Sequence, residues 1–138
     1  MTPRNIHGEW SMSFENRFLH VESFGATNRE LGIAQMNELQ KHLESSSEKY
    51  STPWVILNDY RRWQLASQDA WETYNSIVTW MSEHNCVFLA FVITNQMQNF
   101  ALEKGLHTDE ILQFFFDYNK AYQTCLDKLS EAQWQQQP

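Results

Sequence analysis

The sequence predicts an α/β domain with a mixed sheet of about five strands, an N-terminal antiparallel hairpin, parallel central strands and about four helices. Two observations support this prediction. An alternating N-terminal stretch comes first, and three compact apolar segments then follow, each succeeded by a helix-like stretch: Trp54–Leu57, Val87–Ile93 and Phe114–Phe116. Strands separated by helices pair in parallel, and ligands are usually bound at the edge formed by their carboxyl ends.

The hairpin is predicted by a period of two. Apolar and polar residues alternate from Trp10 to Glu15, and the alternation resumes from Phe18 to Phe24 after a turn near Asn16-Arg17. This pattern is typical of half-buried antiparallel strands joined by a short turn. We expect Gly25 to end the second strand.

The first helix is predicted from Asn28 to about Glu44. The segment Thr27–Glu30 has the spacing of a capping box, in which Thr27 and Glu30 satisfy each other's backbone N–H groups. Four apolar residues at helical spacing form the predicted buried stripe: Ile33, Met36, Leu39 and Leu43.

The segment Trp54–Leu57 lacks polar alternation, as expected of a strand covered on both faces. A polar loop, Asn58–Arg62, is predicted to follow it. Ser67 is predicted to cap the second helix, with Asp69 in the first turn, where the helix dipole favours negative charge. The predicted buried stripe of this helix is Trp71, Tyr74, Val78 and Met81.

The longest apolar run, Val87–Ile93, is predicted to be a central strand. A short helix is expected from Gln96 to Lys104, ended by Gly105. After the last strand, Asp117 is positioned to cap a final helix. The predicted buried stripe of that helix is Ala121, Tyr122, Cys125 and Leu129.

The bulk composition indicates one globular domain over residues 1–138, with flexible ends at 1–7 and 131–138. The net charge of -7 argues against nucleic acid and disfavours an anionic membrane surface. No run approaches the roughly 20 apolar residues of a membrane helix, so no membrane insertion is expected. Cys86 and Cys125 are far apart and are predicted to be reduced core thiols of a cytoplasmic protein.

Several short motifs follow one another in a fixed order: Gly25 to Asn28, Trp54 to Asp59, Ser67 to Glu83, Val87 to Ile93, and Phe115-Phe116-Asp117 with Ala121. This order resembles the STAS-like superfamily, and within it the SpoIIAA-like branch of bacterial anti-sigma-factor antagonists. The resemblance spans roughly residues 8 to 130. It implies a SpoIIAA-like fold and a regulatory, non-enzymatic role in protein–protein interaction.

The chain departs from that family at the regulatory serine. Phosphorylated antagonists carry a turn of the type Asp-Ser-Ser/Thr-Gly before the second long helix, whereas this chain reads Leu65-Ala66-Ser67-Gln68-Asp69. Ser67 is in roughly the right position, but the preceding acid and the following glycine are missing. The phosphorylation switch is therefore not carried over, and helix capping is the expected role of Ser67.

The candidate binding residues follow the first buried strand. Two arginines beside two aromatic residues can bind an anionic or planar group through bidentate hydrogen bonds and stacking. The alternative is that the arginines pair with carboxylates and the aromatic residues complete the core. The predicted partner- or ligand-binding set is Asn58, Asp59, Tyr60, Arg61, Arg62, Trp63 and Ser67.

No catalytic residue, metal site or cofactor is predicted. The five histidines lack the short spacings of a metal pair, and nothing in the sequence beside Cys86 marks it as a nucleophile. Phosphate-loop and nucleophile-elbow motifs are also missing from the sequence.

Two functions remain open from the sequence. The first is a non-enzymatic regulatory module of STAS-like fold that presents Asn58–Trp63 and Ser67 to a protein partner or a second copy. The alternative is a small-molecule or lipid-like ligand binder with an aromatic pocket between sheet and helices. A well-packed interior would argue against the alternative.

Overall fold

The predicted fold class is confirmed. The computed structural model describes residues 6–45, 52–107 and 110–135, which form five strands and four helices. Their order is β1 (Glu9–Glu15), β2 (Phe18–Thr27), α1 (Arg29–Ser45), β3 (Trp54–Ala66), α2 (Ala70–Glu83), β4 (Cys86–Val92), α3 (Gln96–Gly105), β5 (Leu112–Phe115) and α4 (Tyr118–Gln135).

The strands form one sheet in the order β1-β2-β3-β4-β5. Strands β1 and β2 are antiparallel, and every later pair is parallel. The middle strand is β3, with β4 between it and the edge strand β5. The carboxyl ends of β2, β3, β4 and β5 therefore lie at one edge of the sheet.

Helices cover both sides of the sheet, because β3 and β4 are apolar on both faces. Trp54 and Ile56 of β3 belong to a core that includes residues of α1, α2 and α3. Val55 and Leu57 belong to a second core, formed against α4. We call the two faces the three-helix side and the α4 side.

The predicted hairpin is confirmed, with its turn at Asn16 and Arg17. Both residues have positive φ, 54° and 64°, as in the two-residue turns whose twist matches that of a hairpin. The buried Arg17 side chain donates from Nε to the Pro53 carbonyl at 3.3 Å and from Nη2 to the Thr52 carbonyl at 2.6 Å. These bonds attach the turn to the chain just before β3.

The predicted loop Asn58–Arg62 is wrong, because β3 continues as a strand to Ala66. Strand β2 also continues beyond Gly25, and the two strands pair as far as Thr27 and Ala66, with two register shifts. The paired backbone of β2 satisfies polar groups that a loop would expose to water. Residues that the sequence places in a loop are therefore held rigidly in the sheet.

The helix caps differ from two of the predictions. Asn28, not Thr27, caps α1, because its Oδ1 accepts from the Leu31 backbone N–H at 3.1 Å. Ser67 does not cap α2, which begins at Ala70. The Ser67 hydroxyl instead donates to the Asp69 carboxylate. In the α1 stripe, Ile33 is exposed, and Leu31 is the buried residue of that turn.

Asn28→Ala tests the first cap. We expect a loss of about 1 kcal/mol in the free energy of unfolding, because the N–H groups of Leu31 and His7 both lose the Asn28 Oδ1 acceptor. Ser67→Ala is the matched control, with an expected change within about 0.5 kcal/mol. Urea unfolding measures both variants, and a larger loss for Ser67→Ala than for Asn28→Ala would contradict the assignment.

The remaining caps agree with the helix pattern. Asn95 Oδ1 accepts from the Gln98 N–H at 2.8 Å and begins α3, while Asp117 Oδ1 accepts from the Lys120 N–H at 3.0 Å and begins α4, as predicted. Helix α4 extends to Gln135, so residues 131–135, predicted to be flexible, are helical. Residues 1–5 and 136–138 of the predicted flexible ends lie outside the described residues.

Both cysteines are buried free thiols, in agreement with the sequence prediction. Burial raises the pKa of Cys86, and it raises the pKa of Cys125 to about 12. Neither thiol is therefore ionised near neutral pH. Among the helices in the described ranges, none is long and apolar enough to cross a membrane.

Candidate partner-binding site

The pleat of β3 divides the predicted binding set between the two sides of the sheet. Tyr60 and Trp63 belong to the core of the three-helix side, and Asn58 lines the same side. Asp59 and Arg61 lie on the α4 side. Of the seven predicted residues, three have exposed side chains: Arg61, Arg62 and Ser67.

The aromatic residues of the set have a structural role. Trp63 is 2% exposed, and its indole Nε1 donates to the Thr27 hydroxyl at 3.0 Å. The Gln98 side chain of α3 donates from Nε2 to the backbone carbonyls of Tyr60 and Trp63, at 2.9 and 2.8 Å. These bonds fix α3 against the end of β3, and they show that the aromatic residues complete the core.

Asn58 is also part of the fold. Its side-chain Nδ2 donates to the Ala90 carbonyl of β4 at 3.1 Å, within the buried layer. Burial raises the pKa of the Tyr60 hydroxyl, which therefore stays protonated. Neither side chain is available to a partner on the surface.

Asp59 and Arg61 form a bidentate ion pair at the α4 side. Arg61 Nε lies 2.9 Å from Oδ1 of Asp59, and Nη2 lies 2.8 Å from Oδ2. Burial acts to raise the pKa of Asp59, but the hydrogen bonds from the side chain and backbone of Arg61 outweigh it and leave the pKa below its ordinary value. The carboxylate is thus charged at neutral pH and holds the guanidinium in one orientation.

Two further residues join this pair, and sequence reasoning missed both. The Arg61 guanidinium carbon lies 4.8 Å from the centre of the Tyr118 ring, and the Tyr118 hydroxyl lies 2.9 Å from His20 Nε2. We name His20, Asp59, Arg61 and Tyr118 the Asp59 cluster. His20 is 98 residues from Tyr118 in sequence, so their contact could not be predicted. The only signal in the sequence was that His20 is a polar residue in the alternating pattern of β2.

The geometry of the cluster leaves one end of Arg61 accessible. Nε and Nη2 are bound to Asp59, whereas Nη1 has no hydrogen-bond partner within the described ranges. The neighbouring Arg62 is exposed, and its guanidinium carbon lies 5.8 Å from the centre of the Phe24 ring. Two exposed arginines thus follow each other at the carboxyl end of β3, and guanidinium groups suit carboxylates or carbonyls of a partner.

The interior offers little room for the alternative, lipid-binding function. A cavity of about 60 Å³ lies between the sheet and the helices of the three-helix side. Binding sites for drug-sized ligands usually measure about 300–1,000 Å³. Within the part of the chain that the structure describes, this cavity is therefore too small for a lipid-like ligand.

In residues 6–45, 52–107 and 110–135, no three His, Cys, Asp or Glu side chains are grouped so as to hold a metal ion. Cys86 is buried, and its raised pKa keeps the thiol protonated.

The strand order, the hairpin and the placement of helices on both faces give this chain a SpoIIAA-like α/β fold. The fold resemblance stated from the sequence is thereby confirmed. No family model matches the chain, and a search of curated proteins finds no relative of significant similarity.

Two solved structures carry this conclusion about the fold. One is a protein of the DUF3478 family with a SpoIIAA-like fold, from Shewanella loihica PV-4. Its TM-score is 0.62 at 16% identity, over 91% of this chain and 98% of that one. The other is an anti-sigma factor antagonist from Mycobacterium paratuberculosis, with a TM-score of 0.63 at 8% identity over 88% of this chain and 96% of that one. At these identities the similarity establishes the fold.

Proposed function

We propose that this protein is a non-enzymatic regulatory module that binds a protein partner with the carboxyl end of β3. Arg61 and Arg62 supply the main contacts, and Ser67, in the turn before α2, lies at the border of the surface. The observation that carries the proposal is the fixed guanidinium of Arg61, which the buried Asp59 carboxylate orients while Nη1 remains accessible. The SpoIIAA-like fold supports a regulatory role by analogy.

An oriented arginine favours binding for an entropic reason. A free arginine loses rotamer freedom when it meets a partner, and that loss costs about 0.5–1.5 kcal/mol. Arg61 has already lost this freedom to Asp59 and to the Tyr118 ring. A partner carboxylate or carbonyl therefore meets a donor that is preorganised in the free protein.

Charge reversal at Arg62 tests the proposal. Tagged wild-type protein and Arg62→Glu are expressed in the native cells, and co-purified proteins are quantified by mass spectrometry. We expect at least one protein to be recovered about tenfold less with the variant, a change equivalent to about 1.4 kcal/mol. Recovery of an untagged second copy would identify self-association at the same surface.

Arg29→Glu is the matched control, because Arg29 is also an exposed arginine but begins α1. Its co-purified proteins should equal those of wild type. Equal recovery with wild type and Arg62→Glu would reject this surface.

A cytoplasmic location belongs to the proposal, since two buried free thiols suit a reducing compartment.

A further inference from the structure

A second surface feature lies on the three-helix side, away from the Asp59 cluster. It is an open groove of about 1010 Å³ between α2 and α3, and the last residues of β3 contribute to its lining. We call it the α2–α3 groove. Its apolar lining is formed chiefly by Leu65, Trp71, Trp80, Met97, Phe100 and Ala101.

Hydrogen bonds join the two helices that form the groove. Asn75 of α2 donates from Nδ2 to the Gly105 carbonyl at 3.0 Å, and its Oδ1 accepts from the His107 N–H at 2.8 Å. Gly105 also packs so closely on Trp71 that an added Cβ would lie 2.3 Å from the indole ring. The end of α3 is therefore fixed against α2, and the groove is a built feature of the fold.

Its wall exposes large apolar side chains to water. Met97 is 68% exposed and Phe100 is 65% exposed, and both project from α3. A small ligand on the groove floor would leave much of both side chains in water. The apolar face of a bound helix would cover both side chains, and flexible Met side chains adapt well to such partners.

The acidic residues along the groove favour a partner with basic residues beside its apolar face. Glu72 and Glu83 are exposed on the α2 rim, and neither forms a salt bridge within the described ranges. Eleven residues separate them, which places both on the same side of α2 about 16 Å apart. On the opposite wall, Lys104 lies over the Phe100 ring, 5.7 Å from its centre.

We propose that the α2–α3 groove binds an amphipathic helix of a partner protein, with its apolar ridge on Met97 and Phe100 and basic residues facing Glu72 and Glu83. Helix α2 has 14 residues, so the groove has room for about three turns of a bound helix. This inference goes beyond the surface proposed above. It names a second binding face and the chemistry of its occupant.

Selection from a displayed peptide library tests the inference. The library consists of helical peptides of about 18 residues, with apolar residues at the spacing of one face and all charges varied elsewhere. Peptides selected on wild-type protein are then measured individually by fluorescence anisotropy. We expect enrichment of Lys and Arg, and at least about a tenfold weaker Kd with Met97→Ser/Phe100→Ser.

Two sets of variants make the result specific. Ile33→Ser/Trp134→Ser removes exposed apolar side chains from α1 and α4, and should leave the Kd unchanged. Glu72→Lys/Glu83→Lys should weaken binding of the selected peptides. Peptides whose basic residues are changed to Glu should bind this variant again. This compensation would show that the α2 rim reads charge.

Three outcomes would overturn the inference: selection of no peptide whose binding depends on Phe100, enrichment of acidic peptides, or flotation of wild-type protein with phosphatidylglycerol vesicles that is lost in Phe100→Ser. The last outcome would assign the groove to a membrane. The two proposed surfaces fail separately, because peptide binding depends on Phe100 and co-purification depends on Arg62.

Discussion

Trp63→Ala is expected to lower the free energy of unfolding by about 3–5 kcal/mol, the range for removing a large aromatic side chain from a core. Trp63 is buried between β3 and the helices of the three-helix side, in edge-to-face contact with Trp71, with ring centres 6.2 Å apart. Truncation leaves a cavity and removes a donor from the Thr27 hydroxyl, which would then accept only from Tyr74. The total free energy of unfolding of a native domain is about 5–15 kcal/mol, so this loss is a large part of it.

Urea unfolding followed by circular dichroism measures this loss. Trp63→Phe separates its two causes, because it keeps most of the ring volume and removes the hydrogen bond. We expect it to cost about 1–2 kcal/mol. Trp134→Ala is the control on an exposed tryptophan of α4, with a change within about 0.5 kcal/mol. A Trp63→Ala midpoint equal to wild type would place Trp63 outside the core.

This expectation also limits how the binding surface can be tested. A combined substitution of Arg61, Arg62 and Trp63 would strongly destabilise the domain, so a lost interaction would not locate the binding surface. Arg62 is the informative position, because its side chain is exposed and forms no salt bridge within the described ranges. Loss of partner binding on charge reversal there reports on the surface itself.

The pattern of the sequence was sufficient for the order of the elements. The alternation from Trp10 to Glu15 predicted β1, and the unbroken apolar runs predicted β3 and β4, because a strand covered on both faces has no polar alternation. The fold class and the hairpin follow from these local periods. They require no knowledge of distant contacts.

The end of β3 could not be predicted in the same way. The residues from Asn58 to Arg62 are polar and resemble a loop, yet their polar groups find partners far along the chain. Asn58 bonds to Ala90, and Gln98 bonds to the carbonyls of Tyr60 and Trp63. Local composition does not reveal these distant hydrogen-bond partners, so a strand with polar side chains was predicted to be a loop.

The candidate site shows the same limit. Arg61 and Asp59 were predicted because the polar segment that follows Trp54–Leu57 lies at the carboxyl edge of the sheet, where ligands are usually bound. Tyr118 and His20 were missed because α4 brings them together across 98 residues. Of the capping predictions, Asp117 was correct, whereas Thr27 was wrong because its hydroxyl serves Trp63 and Tyr74 in the core.

Arg61→Ala is expected to lower the free energy of unfolding by about 2–3 kcal/mol at neutral pH, because it leaves the Asp59 carboxylate buried without its partner. The side chain of Asp59 is 5% exposed, whereas that of Arg61 is 46% exposed. Water can therefore reach the space that the Arg61 side chain leaves. The expected loss of stability is thus smaller than for breaking a fully buried ion pair.

The pH dependence distinguishes this cause from lost packing. In wild type the pKa of Asp59 is lowered, so the stability it contributes is present above its ordinary pKa, about 3.9, and is lost as the pH falls through the lowered value. Without the Arg61 side chain, burial is opposed only by the backbone N–H of residue 61 and by His20, so the pKa of Asp59 rises above its wild-type value. The deficit of Arg61→Ala should therefore be largest at neutral pH and should shrink as Asp59 takes up a proton.

Urea unfolding of wild type, Arg61→Ala, Asp59→Asn and the double variant between about pH 3 and 7 completes the test, since a double-mutant cycle isolates the coupling of the pair. The cycle should give a coupling free energy that is positive at pH 7 and decreases towards pH 3. Asp59→Asn keeps the shape of the side chain, so Arg61→Ala should cost little in that background. A deficit of Arg61→Ala that is equal at every pH would mean that Arg61 stabilises β3 through its contact with Tyr118 instead of through the charge of Asp59.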